Sequence, residues 1–220
     1  MGLNELANAP GTQPVPPKPE VASEIRTLTL KIAFDNEWTE ETSAWITDLF
    51  DGMADDWTAG HDNPDRDLLL HDALDRGRDG YPIAGERVLE LGSGTSLGTR
   101  ELARRFDDVV ALDRSHGMLE NAPPEYGPRV LGDSAALPIQ SSSIDVLVLV
   151  NMFLFPSEVD RVLAPSGSIV WINTFGENTP IHLTAEEVHD AMPGDWKVTH
   201  SRAGTGTWAV ARRPLPPTEI

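Results

Sequence analysis

The chain has 220 residues, no cysteine and a formal net charge of −18. That length suits one α/β domain with short extensions, and the missing thiols exclude disulfides and thiolate-held metal, so no metal is expected. So acidic an average field repels polyphosphates, which removes nucleic acid from the expected partners. No apolar stretch is long enough to span a bilayer and the first residues lack the basic and apolar regions of a signal peptide, so a cytoplasmic protein without a membrane partner is expected.

Residues 1–22 carry Pro10, Pro14, Pro16, Pro17 and Pro19 with few apolar anchors, and are expected to form a disordered or polyproline-like tail. From Thr27 to Phe34, Leu28, Leu30, Ile32 and Phe34 alternate with Thr29, Lys31 and Ala33, which predicts a strand, either at a sheet edge or at a dimer contact. Thr39 then predicts an N-cap, followed by a helix through Trp45, Ile46, Leu49, Phe50 and Met53. A second helix is predicted over Asp65 to Asp75, after the turn-rich segment Gly60 to Pro64. Residues 23–80 thus read as an N-terminal strand and helical lid or substrate segment, ahead of a core at 81–213 and a tail at 214–220.

Within the core, Val88-Leu89-Glu90-Leu91 runs into Gly92-Ser93-Gly94-Thr95-Ser96-Leu97-Gly98, a buried strand entering a glycine-rich turn and a helix. Glycines there admit positive φ and let a ligand approach backbone N–H groups closely. A second apolar run, Val109 to Leu112, ends at Asp113, nineteen residues after Gly94, where a ribose-binding acid belongs. A short segment at Arg129-Val130-Leu131 precedes Asp133, and an apolar run from Ile144 to Val150 precedes Asn151. After a helix at Thr184 to Ala191, Trp196 to Ser201 and Thr207 to Ala211 read as a hairpin joined by Gly204-Thr205-Gly206. Arg100, Arg104 and Arg105 read as a solvated outer helix face.

Together these residues resemble the class I S-adenosylmethionine-dependent methyltransferases, over roughly residues 48–213. Glu90, Gly92, Gly94 and Gly98 match the form acid-x-Gly-x-Gly-x-x-x-Gly. Asp113-Arg114-Ser115-His116-Gly117-Met118-Leu119 and Glu158-Val159-Asp160-Arg161-Val162-Leu163-Ala164-Pro165-Ser166-Gly167 are similar to two further family segments. The resemblance implies a Rossmann-like, seven-stranded, mostly parallel sheet with helices on both faces and a C-terminal antiparallel hairpin. A nicotinamide enzyme would instead need a small residue where Leu97 stands.

The resemblance also implies the site. Glu90 would help hold the methionine end of S-adenosylmethionine, or else cap the glycine turn; the amides of Gly92, Ser93 and Gly94 would line its path. Asp113, beside Arg114, would accept from both ribose hydroxyls, or else cap the helix that Ser115 begins. Met118 would lie along the adenine, Asp133 would accept from its amino group, and Ser134 and Ala135 would close the ring pocket. Asn151 would present its backbone carbonyl to the sulfonium end. Trp57 stands where many small-molecule methyltransferases close an aromatic ring over the cofactor. His61 and His182 are the histidines best placed by topology to act as a base.

The function implied is methyl transfer to a small-molecule acceptor at O, N or C, by a monomer or homodimer. The alternatives are a non-catalytic S-adenosylmethionine or S-adenosylhomocysteine-binding regulator and an NAD-dependent oxidoreductase. The segment 27–80 would supply most of the acceptor pocket.

Overall fold

The computed structural model describes residues 2–15 and 22–214. Eight strands form one sheet: β1 (Leu3–Glu5), β2 (Arg87–Leu91), β3 (Asp108–Asp113), β4 (Arg129–Leu131), β5 (Ile144–Val150), β6 (Leu163–Asn173), β7 (Lys197–Ala203) and β8 (Gly206–Arg212). Their order is β1-β7-β8-β6-β5-β2-β3-β4. β8 runs antiparallel to β6 and β7, and every other neighbouring pair is parallel.

The centre of this sheet follows from composition. Val146, Leu147, Val148 and Leu149 are fully buried because helices cover both faces, so both sets of alternating side chains lie in apolar surroundings. One core cluster joins Leu89, Leu147, Trp171 and Val188; a second joins Val88, Leu102, Val148 and Trp208.

The helices are α1 (Ala22–Leu30), α2 (Glu40–Asp51), α3 (Ala54–His61), α4 (Pro64–Arg76), α5 (Leu97–Leu102), α6 (His116–Asn121), α7 (Pro156–Val162) and α8 (Ala185–Ala191). Their starts obey local chemistry. Thr39 accepts from the Thr42 amide at the head of α2, Asn63 from the Arg66 amide at the head of α4, and Thr184 and Glu187 form a reciprocal capping box on α8.

Two N-terminal expectations change. The segment 27–34 is helical, with α1 passing into a π-helical turn at Lys31–Asp35. Its buried residues Thr29, Ile32 and Ala33 recur at three and four positions, and the Thr29 hydroxyl hides its polarity by donating to the Ile25 carbonyl at 2.8 Å. The apparent alternation arose because polar Thr29 is inside and Phe34 is exposed.

The sheet also gains an eighth strand, because Leu3–Glu5, within the expected tail, pairs parallel to β7. The chain continues along that edge, with Leu6 and Ala9 amides donating to the His200 and Arg202 carbonyls. Backbone pairing holds this strand, whose side chains are exposed. Pro16, Pro17 and Pro19, and most of the expected tail 214–220, lie outside the described residues.

Candidate functional site

The carboxyl ends of β2, β3 and β5 open onto a cavity of about 460 Å³, roofed by α2, α3 and the segment before α2. This is the crevice where open α/β sheets bind ligands.

The glycine turn forms one end. Gly92 and Gly94 adopt φ of 64° and 55°, and a Cβ on Gly92 would lie 2.3 Å from the Met152 Sδ. Ser96 shares the left-handed conformation at the head of α5, a strain that marks this turn as special.

Glu90 lies behind the turn. Its carboxyl is fully buried, accepts from the Thr99 hydroxyl at 2.5 Å, and is pushed up to about 7 chiefly by burial. A Cβ on Gly98 would stand 2.1 Å from Glu90 Oε1, which explains the acid and final glycine of the motif as one packing unit. Glu90 is not among the residues of the cavity wall and braces α5 from behind the turn, through Thr99.

A mutation tests that unit. Alanine normally stabilises a helix over glycine by up to ~1 kcal/mol. Gly98→Ala should instead destabilise by about 1–3 kcal/mol through overpacking, measured by urea unfolding. In a Glu90→Ala background most of that cost should disappear.

Asp113 closes β3 and lines the cavity. The Gly94 amide donates to its Oδ2 at 2.7 Å and the Ser115 amide to its Oδ1 at 2.8 Å. Burial pushes its pKa up, and these backbone donors pull the other way. Ser115 caps α6, accepting from the Met118 amide at 3.0 Å, and Met118 reaches the same wall.

Asp133 follows β4. Its Oδ2 accepts from Arg114 Nη1 at 2.5 Å and from Trp38 Nε1 at 3.1 Å, while Oδ1 accepts from the Ala135 amide at 2.9 Å. Ser134 is on the wall, but Ala135 is not: it packs beside the cluster that contains Phe153 and Phe155. Asn151 follows β5 with φ 53°, and its side chain pairs with Thr174 by two hydrogen bonds, of 2.8 and 2.9 Å. That bracing fixes its backbone at the cavity edge.

Trp57 and His61 both line the cavity from α3, a helix not anticipated, which places His61 at a helix end and not in a loop. Their rings stack at 3.8 Å between centroids and 12° between planes. His61 Nδ1 lies 2.9 Å from the Trp57 carbonyl, which only accepts, so Nδ1 carries the proton and Nε2 is left as an acceptor in the neutral ring. His182 is elsewhere: it is buried, bonds the Thr179 carbonyl through Nδ1 and borders a smaller cavity with Trp171 and His200. His182 thus lines that smaller cavity and not the main one.

Arg66 and Trp38 were not anticipated. Arg66 sits in the first turn of α4, buried, on the cavity wall, with its charge acting on Glu90. A basic residue there opposes the helix dipole, but flanked by Asp65 and Asp67 it gives no sequence signal of a site. Arg100, Arg104 and Arg105 pair with Asp62, Asp67, Asp75 and Glu101.

Five buried side-chain atoms among the described residues have no hydrogen-bond partner, and Arg66 Nε, Glu90 Oε1, Ser93 Oγ and Ser96 Oγ are four of them. Such atoms are costly unless a ligand or water satisfies them. Of these, Arg66 and Ser93 line the cavity beside the glycine turn and fit the carboxylate of an amino-acid group, and the half-buried Asp113 carboxylate on the same wall fits a diol. The residues present therefore suit S-adenosylmethionine.

Residues 89–171 match the family model described as a methyltransferase domain. The biotin biosynthesis bifunctional protein of Cellvibrio japonicus is 38% identical over 107 residues, covering 44% of this chain and 21% of that protein. The demethylmenaquinone methyltransferase of Corynebacterium efficiens is 37% identical over 92 residues, covering 39% and 40%. The chain thus spans less than half the length of these curated relatives. A structure described as the DhpI–SAH complex shares the fold at TM-score 0.60 and 18% identity, covering 77% of this chain and 96% of that one. No helix among the described residues is long and apolar enough to cross a membrane. Motifs and family model fall on the same residues: the stretch that matches the methyltransferase-domain model, 89–171, is the one that carries the glycine turn, Asp113, Asp133 and Asn151.

Proposed function

We propose that the protein transfers a methyl group from S-adenosylmethionine to a small-molecule acceptor at O, N or C. The observation that carries this reading is the cavity's division, with the Asp113 carboxylate and the unpartnered Arg66 Nε and Ser93 Oγ beside the glycine turn and an apolar roof over them. When bound, the cofactor supplies an electrophilic methyl group on a sulfonium.

Each wall residue then has a task. Asp113, held by two amides, would accept from the ribose hydroxyls, and Asp133 from the adenine amino group beside Met118. Arg66 and Ser93 would take the carboxylate at the amino-acid end. Asn151 would border the sulfonium, and Trp57 would place an electron-rich face near that charge, a contact worth about 0.5–2 kcal/mol. Burial by α2 and α3 would keep water out, and positioning in line would supply much of the acceleration.

His61 would act as a base where the acceptor carries a weakly acidic hydroxyl, through its unprotonated Nε2. The relatives named for biotin biosynthesis and demethylmenaquinone methylation support a small-molecule acceptor.

Calorimetric titration tests the cofactor half. S-adenosylmethionine and S-adenosylhomocysteine are expected to bind one per chain, and NAD not at all. Absence of sulfur-nucleoside binding to folded protein would reject the reading, and NAD binding would replace it with an oxidoreductase. With a methylated hydroxyl acceptor in hand, His61→Ala should abolish transfer and leave S-adenosylhomocysteine affinity unchanged; unchanged transfer removes His61 as the base.

A further inference from the structure

Eight large hydrophobic side chains are exposed among the described residues, and three of them border the main cavity. Trp45 on α2 is 48% exposed, Met53 between α2 and α3 is 38%, and Phe175 after β6 is 38%. Apolar surface left in water is unfavourable unless something covers it. All three line the same cavity while remaining partly open to solvent, so its exposed rim is apolar at these positions.

The interior behind them continues the same chemistry. Phe153 and Phe155, which follow Asn151, are buried with Ile46 and Ile181 in one cluster that Trp38 and Phe50 pack against. Trp38 meets Phe155 edge-on, with centroids 5.3 Å apart and planes at 75°, and Phe153 at 6.0 Å and 48°. The Trp38 ring is also tied to the cofactor half through its bond to Asp133. An aromatic ring laid beside such a wall can meet it face-on or edge-on, the arrangements aromatic pairs prefer.

Charged wall residues are concentrated around the glycine turn, and the one that reaches the aromatic wall, Asp133, is already engaged by Arg114 and Trp38. Arg66, Asp113, Arg114 and Asp133 belong to the half built around the glycine turn and the ends of β3 and β4, and Glu24 is exposed. A strongly hydrated, charged acceptor would lose its water against this aromatic wall without a compensating partner.

We propose that the acceptor is an apolar aromatic molecule, entering past Trp45, Met53 and Phe175 and seated against Trp38, Phe153 and Phe155. This inference rests on the methyl-transfer reading, because it assigns the cofactor to the polar half.

The test uses the full chain saturated with S-adenosylhomocysteine, with 2-naphthol as the probe and ethanolamine as a charged control, read by calorimetry and tryptophan fluorescence. 2-Naphthol is expected to bind and quench fluorescence in the presence of the nucleoside, and ethanolamine not to bind. In the Trp45→Ser/Phe175→Ser variant, whose changed positions are exposed, 2-naphthol affinity should fall about fivefold or more while S-adenosylhomocysteine affinity stays the same.

Failure of 2-naphthol to bind the nucleoside-loaded protein overturns the assignment and leaves methyl transfer standing. Displacement of 2-naphthol by the nucleoside, or unchanged affinity in the rim variant, overturns it as well. Failure of S-adenosylhomocysteine itself to bind rejects the methyl-transfer reading instead.

Discussion

Replacing Asp113 by alanine should weaken S-adenosylhomocysteine binding at least tenfold. A charge-assisted hydrogen bond is worth about 1.5–3 kcal/mol, and about 1.4 kcal/mol is a factor of ten. The carboxylate is half-buried and pre-aimed by the Gly94 and Ser115 amides, so little ordering remains to be done on binding. The same two bonds brace the glycine turn, so alanine also loosens the fold locally. A ribose-specific comparison separates the effects: the native protein should prefer adenosine to 2′,3′-dideoxyadenosine, and Asp113→Ala should lose that preference. A variant that binds both weakly but keeps the native ratio would reduce Asp113 to a brace.

Glu90→Gln should change how stability depends on pH. The carboxyl rises from the ordinary 4.5 to about 7 on folding, because burial penalises its charge more than Thr99 and Arg66 favour it. The folded state therefore holds this proton more tightly than the unfolded chain. The stabilisation is fully present below pH 4.5 and is lost as pH rises through about 7. At 1.36 kcal/mol per unit the swing is on the order of 3 kcal/mol. Urea unfolding at pH 5 and pH 8 should show the native protein losing that much more stability than Glu90→Gln. Parallel curves for the two proteins would show that Glu90 titrates normally.

The sheet centre was legible because strands buried on both faces carry near-continuous apolar runs, as in Ile144–Val150. Helix starts were legible where a side chain caps them, as at Thr39, Ser115 and Thr184. β1 was not legible, since three exposed residues joined by backbone bonds leave no side-chain pattern. The Thr27–Phe34 segment misled because a threonine satisfied by its own helix looks polar in sequence and sits in the core. In the site, Asp113 and Asp133 follow strands and announced themselves. Arg66, between Asp65 and Asp67, reads as one more surface charge, and only the packing of α4 beside the glycine turn buries it. Trp38 gains its meaning from a partner ninety-five residues away.

A crystal structure of the protein with S-adenosylhomocysteine tests the central claim most directly. The ribose hydroxyls should lie within hydrogen-bond distance of the Asp113 carboxylate, with the amino-acid end beside Gly92, Ser93 and Arg66 and the sulfur turned toward Phe153. A nucleoside bound outside this cavity, or seated in it without touching Asp113, would contradict the account.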